Sequence, residues 1–151
     1  MNLYTHNKFL LRAAIYGMIA GLVLTLFLKV IQFMTGYKVY TLLLNIDYIP
    51  ILNEFKFPEV VEVIFHLIVS VVLSIVLILI IRQLPTISAI TIIALCVFVS
   101  FIIGGLYYPT TILSERTPPI SSLPSFFYWM LGHVLYGSIL GILFSSRRWS
   151  R

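Results

Sequence analysis

Charge is what this chain has least of. Ten basic and five acidic residues in 151 make 10% of the sequence, against about 25% for a soluble domain. So few charges cannot clothe a water-facing surface, and with 60% hydrophobic residues and a mean hydropathy of +1.06 they exclude an ordinary soluble globule. Lipid is the expected solvent for most of the length. Cysteine is nearly absent: Cys96 stands alone in an apolar run, which excludes an internal disulfide and a cysteine-based zinc site. The motifs of nucleotide binding and hydrolysis are missing as well. There is no Walker loop, no Rossmann fingerprint, no HExxH and no GxSxG elbow. Enzymatic function is therefore not expected. The excess of positive charge is scattered along the chain, which argues against a nucleic-acid partner.

What is present is four long apolar runs, over about 11–33, 58–81, 87–107 and 125–144. Each is near the ~20 residues a helix needs to cross a bilayer. The expected fold is all-α, a single membrane domain holding a four-transmembrane-helix bundle over 1–151. The first run is too long for a signal-peptide core and reads as a retained anchor. Only Arg82 to Thr86 separates the second and third runs, which predicts antiparallel neighbours. The loop at 34–57 holds the apolar segment Tyr40 to Ile46, too short to span and expected as an interfacial helix or shallow re-entrant piece. The loop at 108–124 contains Pro109, Pro118, Pro119 and Pro124 and is expected to be extended and irregular.

Orientation follows from the distribution of Lys and Arg. The side carrying the termini and the short loop has Lys8, Arg12, Arg82, Arg147, Arg148 and Arg151 and no acidic residue. The other side has four basic residues (Lys29, Lys38, Lys56, Arg116) and all five acidic ones. Basic loops stay in the cytoplasm, so both termini are expected inside and loops 34–57 and 108–124 outside. Aromatics flank the spans to match, with Tyr107, Tyr108, Tyr128 and Trp129 near the outer boundary and Trp149 near the inner one.

Each span carries small or polar residues four apart: Ala13, Gly17, Gly21, Thr25, Lys29 in the first; Glu62, His66, Ser70, Ser74 in the second; Cys96, Ser100, Gly104, Tyr108 in the third; and His133, Gly137, Gly141, Ser145 in the fourth. Residues so spaced share a helix face. Lipid gives helices no hydrophobic reward for touching, so they associate where small residues let backbones approach. The pairs Gly17/Gly21 and Gly137/Gly141 lie in the cytoplasmic halves of antiparallel spans and are expected to meet. They serve either packing within one bundle or a homodimer seam.

Ionisable groups inside a bilayer are costly and mark candidate sites. His66 and His133 lie eight and nine residues past the prolines that open their spans, roughly 12–14 Å in. Glu62 is one turn from His66, and Lys29 ends the stripe of the first span. The expectation is a polar cluster of Lys29, Glu62, His66 and His133. Glu62, His66 and His133 could hold a divalent transition metal or respond to protons. Simple interhelical hydrogen bonding by the histidines and outward snorkelling by Lys29 are the plain alternatives.

Gly17-Met18-Ile19-Ala20-Gly21 followed by Lys29, the segment His66-Leu67-Ile68-Val69-Ser70, and Pro109 with Thr117-Pro118-Pro119 leading to Gly132-His133 together resemble the YagU-like family of small bacterial inner-membrane proteins. The resemblance implies that membrane as the location and Lys29, His66 and His133 as the positions to test. It implies no activity. The resulting expectation is a proton- or metal-responsive protein of envelope stress or acid tolerance. A dimeric transporter or channel, and an assembly partner without chemistry, are the alternatives.

Overall fold

The structure is a computed structural model of the chain, and it describes residues 3–50, 54–85 and 87–146, with side chains from residue 8 onward. Arg147, Arg148, Trp149 and Arg151, which enter the orientation argument, lie outside the described residues, as does Thr86 of the short loop. The described residues are helical, without strands: α1 (Leu3–Thr35), α2 (Val39–Leu43), α3 (Glu59–Gln83), α4 (Ala89–Tyr107), a 3-10 segment (Tyr108–Leu113) and α5 (Leu123–Ser145). Four of them, α1, α3, α4 and α5, are long and apolar enough to cross a membrane.

Local chemistry sets the helix ends. The φ of +76° at Gly36 needs glycine, and its N–H closes on the Gln32 carbonyl at 2.9 Å, ending α1. Pro58 precedes α3, with Glu59 and Glu62 in the first turn and Arg82 in the last, each on the favourable side of the helix dipole. Ser88 and Ser122 cap α4 and α5 by accepting from the N–H of Thr91 and Ser125.

Three expectations change. The first helix begins at Leu3, two turns before the apolar run, because polar residues ahead of a span suit a helix as well as apolar ones. The segment after α4 is a 3-10 helix over its first six residues, not extended chain: Pro109 falls in its first turn, where a missing N–H costs nothing. The apolar part of the first loop turns inward, with Val39, Tyr40, Leu42, Leu43, Leu44 and Ile46 buried and α2 packed on α1 and α5.

The stripes pair two by two. On α1, a Cβ at Gly17 would stand 2.6 Å from Ser74 Cβ, and one at Gly21 would stand 2.7 Å from Ser70 Oγ, both on α3. Ser74 donates to the Ala13 carbonyl at 2.6 Å and Ser70 to that of Gly17 at 2.7 Å, so hydroxyls stitch the two backbones. On α5, a Cβ at Gly137 would meet Val97 Cα at 2.6 Å, and one at Gly141 would meet Ile93 Cα at 2.6 Å, both on α4. The two GxxxG pairs therefore do not face each other. Each is filled by a different neighbour, because a glycine notch accepts backbone only from the helix closest to it.

The second pairing expectation also fails. Helices α3 and α4 are joined by the short loop, yet among the described residues they barely approach each other. A tight turn fixes direction and leaves splay free. The order across the bundle is α3, α1, α5, α4, bent so that α3 and α4 flank a cleft. Tyr136 of α5 reaches across to donate to the Ser70 carbonyl on α3 at 3.1 Å.

Gly137→Ala should lower stability by about 1–3 kcal/mol, the range for overpacking a tight interior, because the new methyl meets backbone. Gly105→Ala, whose Cβ would find only Met130 Cε at 3.9 Å, should be neutral or stabilising through helix propensity. Denaturation midpoints of both variants in detergent micelles check this; equal losses would mean that backbone approach does not govern the α4–α5 pair.

Candidate functional site: a cleft between the second and third long helices

The cleft has a volume of about 290 Å³. Leu24 of α1 forms its back. Its sides are His66, Ser70 and Leu73 on α3, Ser100, Ile103 and Tyr107 on α4, and Trp129, His133 and Tyr136 on α5. The first loop closes one end with Leu43, Asn45, Ile46, Tyr48 and Ile49. The lips are Ile68 and Val69 on α3, 54% and 61% exposed, and Ile103 on α4, 36% exposed, so the cleft opens sideways between α3 and α4.

Aromatic rings line its loop end in sequence. Tyr48 meets Tyr107 edge-on at 5.3 Å, Tyr107 stacks on Trp129 at 5.6 Å, and Trp129 lies 4.5 Å from the His133 ring. Trp129 is anchored by its indole N–H, which donates to the Gly104 carbonyl at 2.9 Å. Gly104 is itself required by the site, since a Cβ there would stand 2.7 Å from the His133 ring. His133 Nδ1 lies 3.0 Å from the Trp129 carbonyl. A carbonyl only accepts, so Nδ1 carries the proton and Nε2 is left as a bare acceptor.

Of the expected polar cluster, Glu62, His66 and His133 do line this one cleft. Lys29 does not join them. Its ammonium pairs with Glu59 at 2.6 Å, both side chains half exposed, and lies over the Tyr40 ring at 5.2 Å. The long lysine stem carries the charge past the stripe to the helix end, where water is available. Tyr40 donates to the same Glu59 oxygen at 2.7 Å. Burial, and then the Glu59 carboxylate, hold the Tyr40 phenol protonated far above its ordinary range.

Glu62, 4% exposed, takes a partner that the sequence reading did not assign. Arg116, from the loop before α5, forks onto it with three contacts of 3.0, 3.0 and 3.2 Å and lies 3.5 Å from Asp47. Asp47 in turn accepts from the Ser114 hydroxyl. The Glu62 hydrogen bonds raise the Arg116 guanidinium above its ordinary range. This clasp ties the first loop, α3 and the second long loop at one end of the bundle. The signal for it was slight: Arg116 is the only arginine on the acid-rich side. With both Glu62 oxygens engaged, the cleft offers two imidazoles in place of the expected three-ligand set, and among the described residues no three His, Cys, Asp or Glu side chains gather as a metal-holding group.

Among the described residues, three polar atoms of the cleft are enclosed and have no partner: His66 Nε2, Ser100 Oγ and Asn45 Nδ2. Ser100 stands out against its peers. Every other described hydroxyl of Ser or Thr in the four long helices is bonded, for example Thr25 to Gly21 and Ser138 to Val134.

Comparison with known proteins finds no matching family model, no matching curated protein and no matching solved structure.

Arg116→Ala would leave the Glu62 carboxylate buried and alone. Removing one partner of a buried pair costs about 3–5 kcal/mol; the half-exposed arginine puts this case nearer ~1–3 kcal/mol. Adding Glu62→Gln should restore a good part of it, since the amide carries no charge to strand. A double-mutant cycle on unfolding in micelles measures the coupling; no recovery in the double variant would show that the clasp contributes little.

Proposed function

We propose that this chain is a multi-pass membrane protein that works by binding: its sideways cleft takes up a small apolar molecule from the bilayer. The observation that carries this reading is the placement of the opening. The lips of the cleft, Ile68 and Val69 on α3 and Ile103 on α4, are exposed aliphatic side chains on two helices long enough to span, so in a bilayer they would face lipid tails. The loop end, in contrast, is covered by buried loop residues and the Arg116 clasp. The volume, about 290 Å³, lies just below the ~300–1,000 Å³ of small-molecule sites. Catalysis is not part of the reading: among the described residues no hydroxyl is hydrogen-bonded to either cleft imidazole, and the one buried carboxylate of the cleft is neutralised.

The basic residues on the terminal side support an orientation with both termini in the cytoplasm, and the resemblance to the YagU-like family supports a bacterial plasma membrane. The glycine faces are filled within the chain, so a dimer would have to use another surface. Orientation is checked with Pro118→Cys in a Cys96→Ser background: an impermeant maleimide should label it from outside intact cells, and labelling only after lysis would invert the topology.

The cleft is checked through Trp129, which is 2% exposed and so shielded from surrounding lipid. In a Trp149→Phe background, a brominated alkane in liposomes should quench Trp129 saturably at low mole fraction. Ser100→Phe, which fills the cleft, should remove the saturable part. Linear quenching alike in both proteins would sink the reading.

A further inference from the structure

The cleft has an apolar body and one polar patch, and the patch has a definite hydrogen-bonding character. Three features define it. His133 Nε2 is an acceptor, because Nδ1 is committed to the Trp129 carbonyl. Ser100 Oγ, on a residue 1% exposed, is enclosed and unpartnered. His66 Nε2 is likewise enclosed and unpartnered, and either it or the serine hydroxyl can donate. Leaving such atoms unmade is costly inside a protein. They also sit at similar depth. His66 is seven residues into α3 from Glu59, and Ser100 is seven residues short of Tyr107 at the end of α4, which puts each roughly 10 Å below the loop end.

A complementary ligand must therefore accept and donate at one point and be apolar elsewhere. A permanently charged head is excluded by the surroundings. Among the described residues the one carboxylate in the lining is held by Arg116 and no Lys or Arg lines the cleft, and an unpaired buried charge costs far more than an unpaired dipole. A two-chain lipid is excluded by volume. We infer that the cleft binds a single-chain lipid headed by an un-ionised carboxyl group, a long-chain fatty acid, with the head in the His66–Ser100–His133 patch and the chain leaving between α3 and α4. The acid O–H donates to His133 Nε2, and the carbonyl oxygen accepts from Ser100 and His66. An alcohol offers one oxygen where the patch has three partners to satisfy, and an ester has no proton for His133.

The inference rests on the cleft binding apolar molecules, and its test separates the two. In the Trp149→Phe protein in liposomes, the probes are dibromostearic acid, its methyl ester, the corresponding alcohol and a dibromoalkane, and the readout is the mole fraction giving half-maximal quenching of Trp129. The acid should bind at least about tenfold tighter than the ester and the alkane, as expected for two or three added hydrogen bonds. Ser100→Ala should weaken the acid about three- to tenfold and leave the alkane unchanged. His66→Leu should do the same, and an unaltered Trp129 emission maximum without probe shows that the fold is kept. If acid, ester and alkane saturate equally, the carboxyl assignment falls while the apolar cleft stands. An alcohol as tight as the acid also overturns the assignment. If no probe saturates, the cleft reading fails and this one with it.

Discussion

Close backbone approach between two pairs of helices is the constraint from which the rest of this bundle follows. In α1–α3 and α4–α5 the notches at Gly17, Gly21, Gly137 and Gly141 are so tight that a methyl group would collide with the neighbour. In a bilayer, apolar surface would gain nothing from leaving lipid for protein, so the stabilisation would come from dispersion across these contacts and from the serine hydroxyls that bridge them. Each pair consumes the small face of both partners. Ser70 and Ser74 are spent on α1, while Cys96 and Gly104 are spent on α5 and Ser100 between them is left to the cleft. What α3 and α4 still have for each other is β-branched bulk, such as Ile68, Val69 and Ile103. Such side chains keep helix axes apart, and the cleft is the space that remains.

The third contact, α1 on α5, is of a different kind and holds the two pairs together. Leu24 and Leu28 close over Gly132 so that a Cβ there would stand 2.8 Å from Leu24 Cδ1 and 3.2 Å from Leu28 Cδ2, and Tyr16 meets Phe144 at 6.3 Å. Across the cleft itself, the main polar tie is Tyr136 to Ser70. At the loop end the Glu62–Arg116–Asp47 clasp supplies what packing does not. A bidentate guanidinium fixes geometry as well as charge, and here it fixes three segments that are distant in the sequence. The aromatic row Tyr48, Tyr107, Trp129, His133 is positioned by the same loop, since Tyr107 also donates to the Asn45 carbonyl at 2.6 Å.

The four long helices and their small-residue stripes were legible in the sequence, because length, hydropathy and a spacing of four are local properties. So were two of the site residues: His66 and His133 have few other reasons to stand in apolar helices, and both line the cleft. The partner of each stripe was not legible. Gly17 and Gly137 look alike in sequence, and which backbone fills each notch depends on how the helices are arranged around the bundle. The turn between α3 and α4 misled for the same reason, as loop length constrains connection but not contact. Because it shares the stripe of His66, one turn away, and because His133 lies at similar depth, Glu62 is grouped with the histidines in the sequence. Its actual partner lies 54 residues away in an irregular loop, where no periodicity points to it. Ser100 was visible as one member of a stripe, but its lack of a partner is a property of three dimensions only.

The position of the unpartnered atoms bears on how the cleft would be used. In a water-exposed pocket, a bare imidazole nitrogen and a bare hydroxyl are readily satisfied by solvent. If the four long helices span a bilayer, as proposed, a cleft that opens sideways between them would have hydrocarbon at its mouth, and hydrocarbon cannot satisfy them. The loop end, where water is near, is closed by Leu43, Ile46 and the aromatic row. Whatever satisfies His66 and Ser100 must then reach them through an apolar opening, which favours a molecule that is mostly apolar itself. On the proposed reading, the apolar lips would govern entry and the enclosed polar atoms the choice of head group. The two selections would then act on different parts of one amphiphile, and both trace to the same feature of the fold: the glycine notches of α1 and α5 are already filled by α3 and α4.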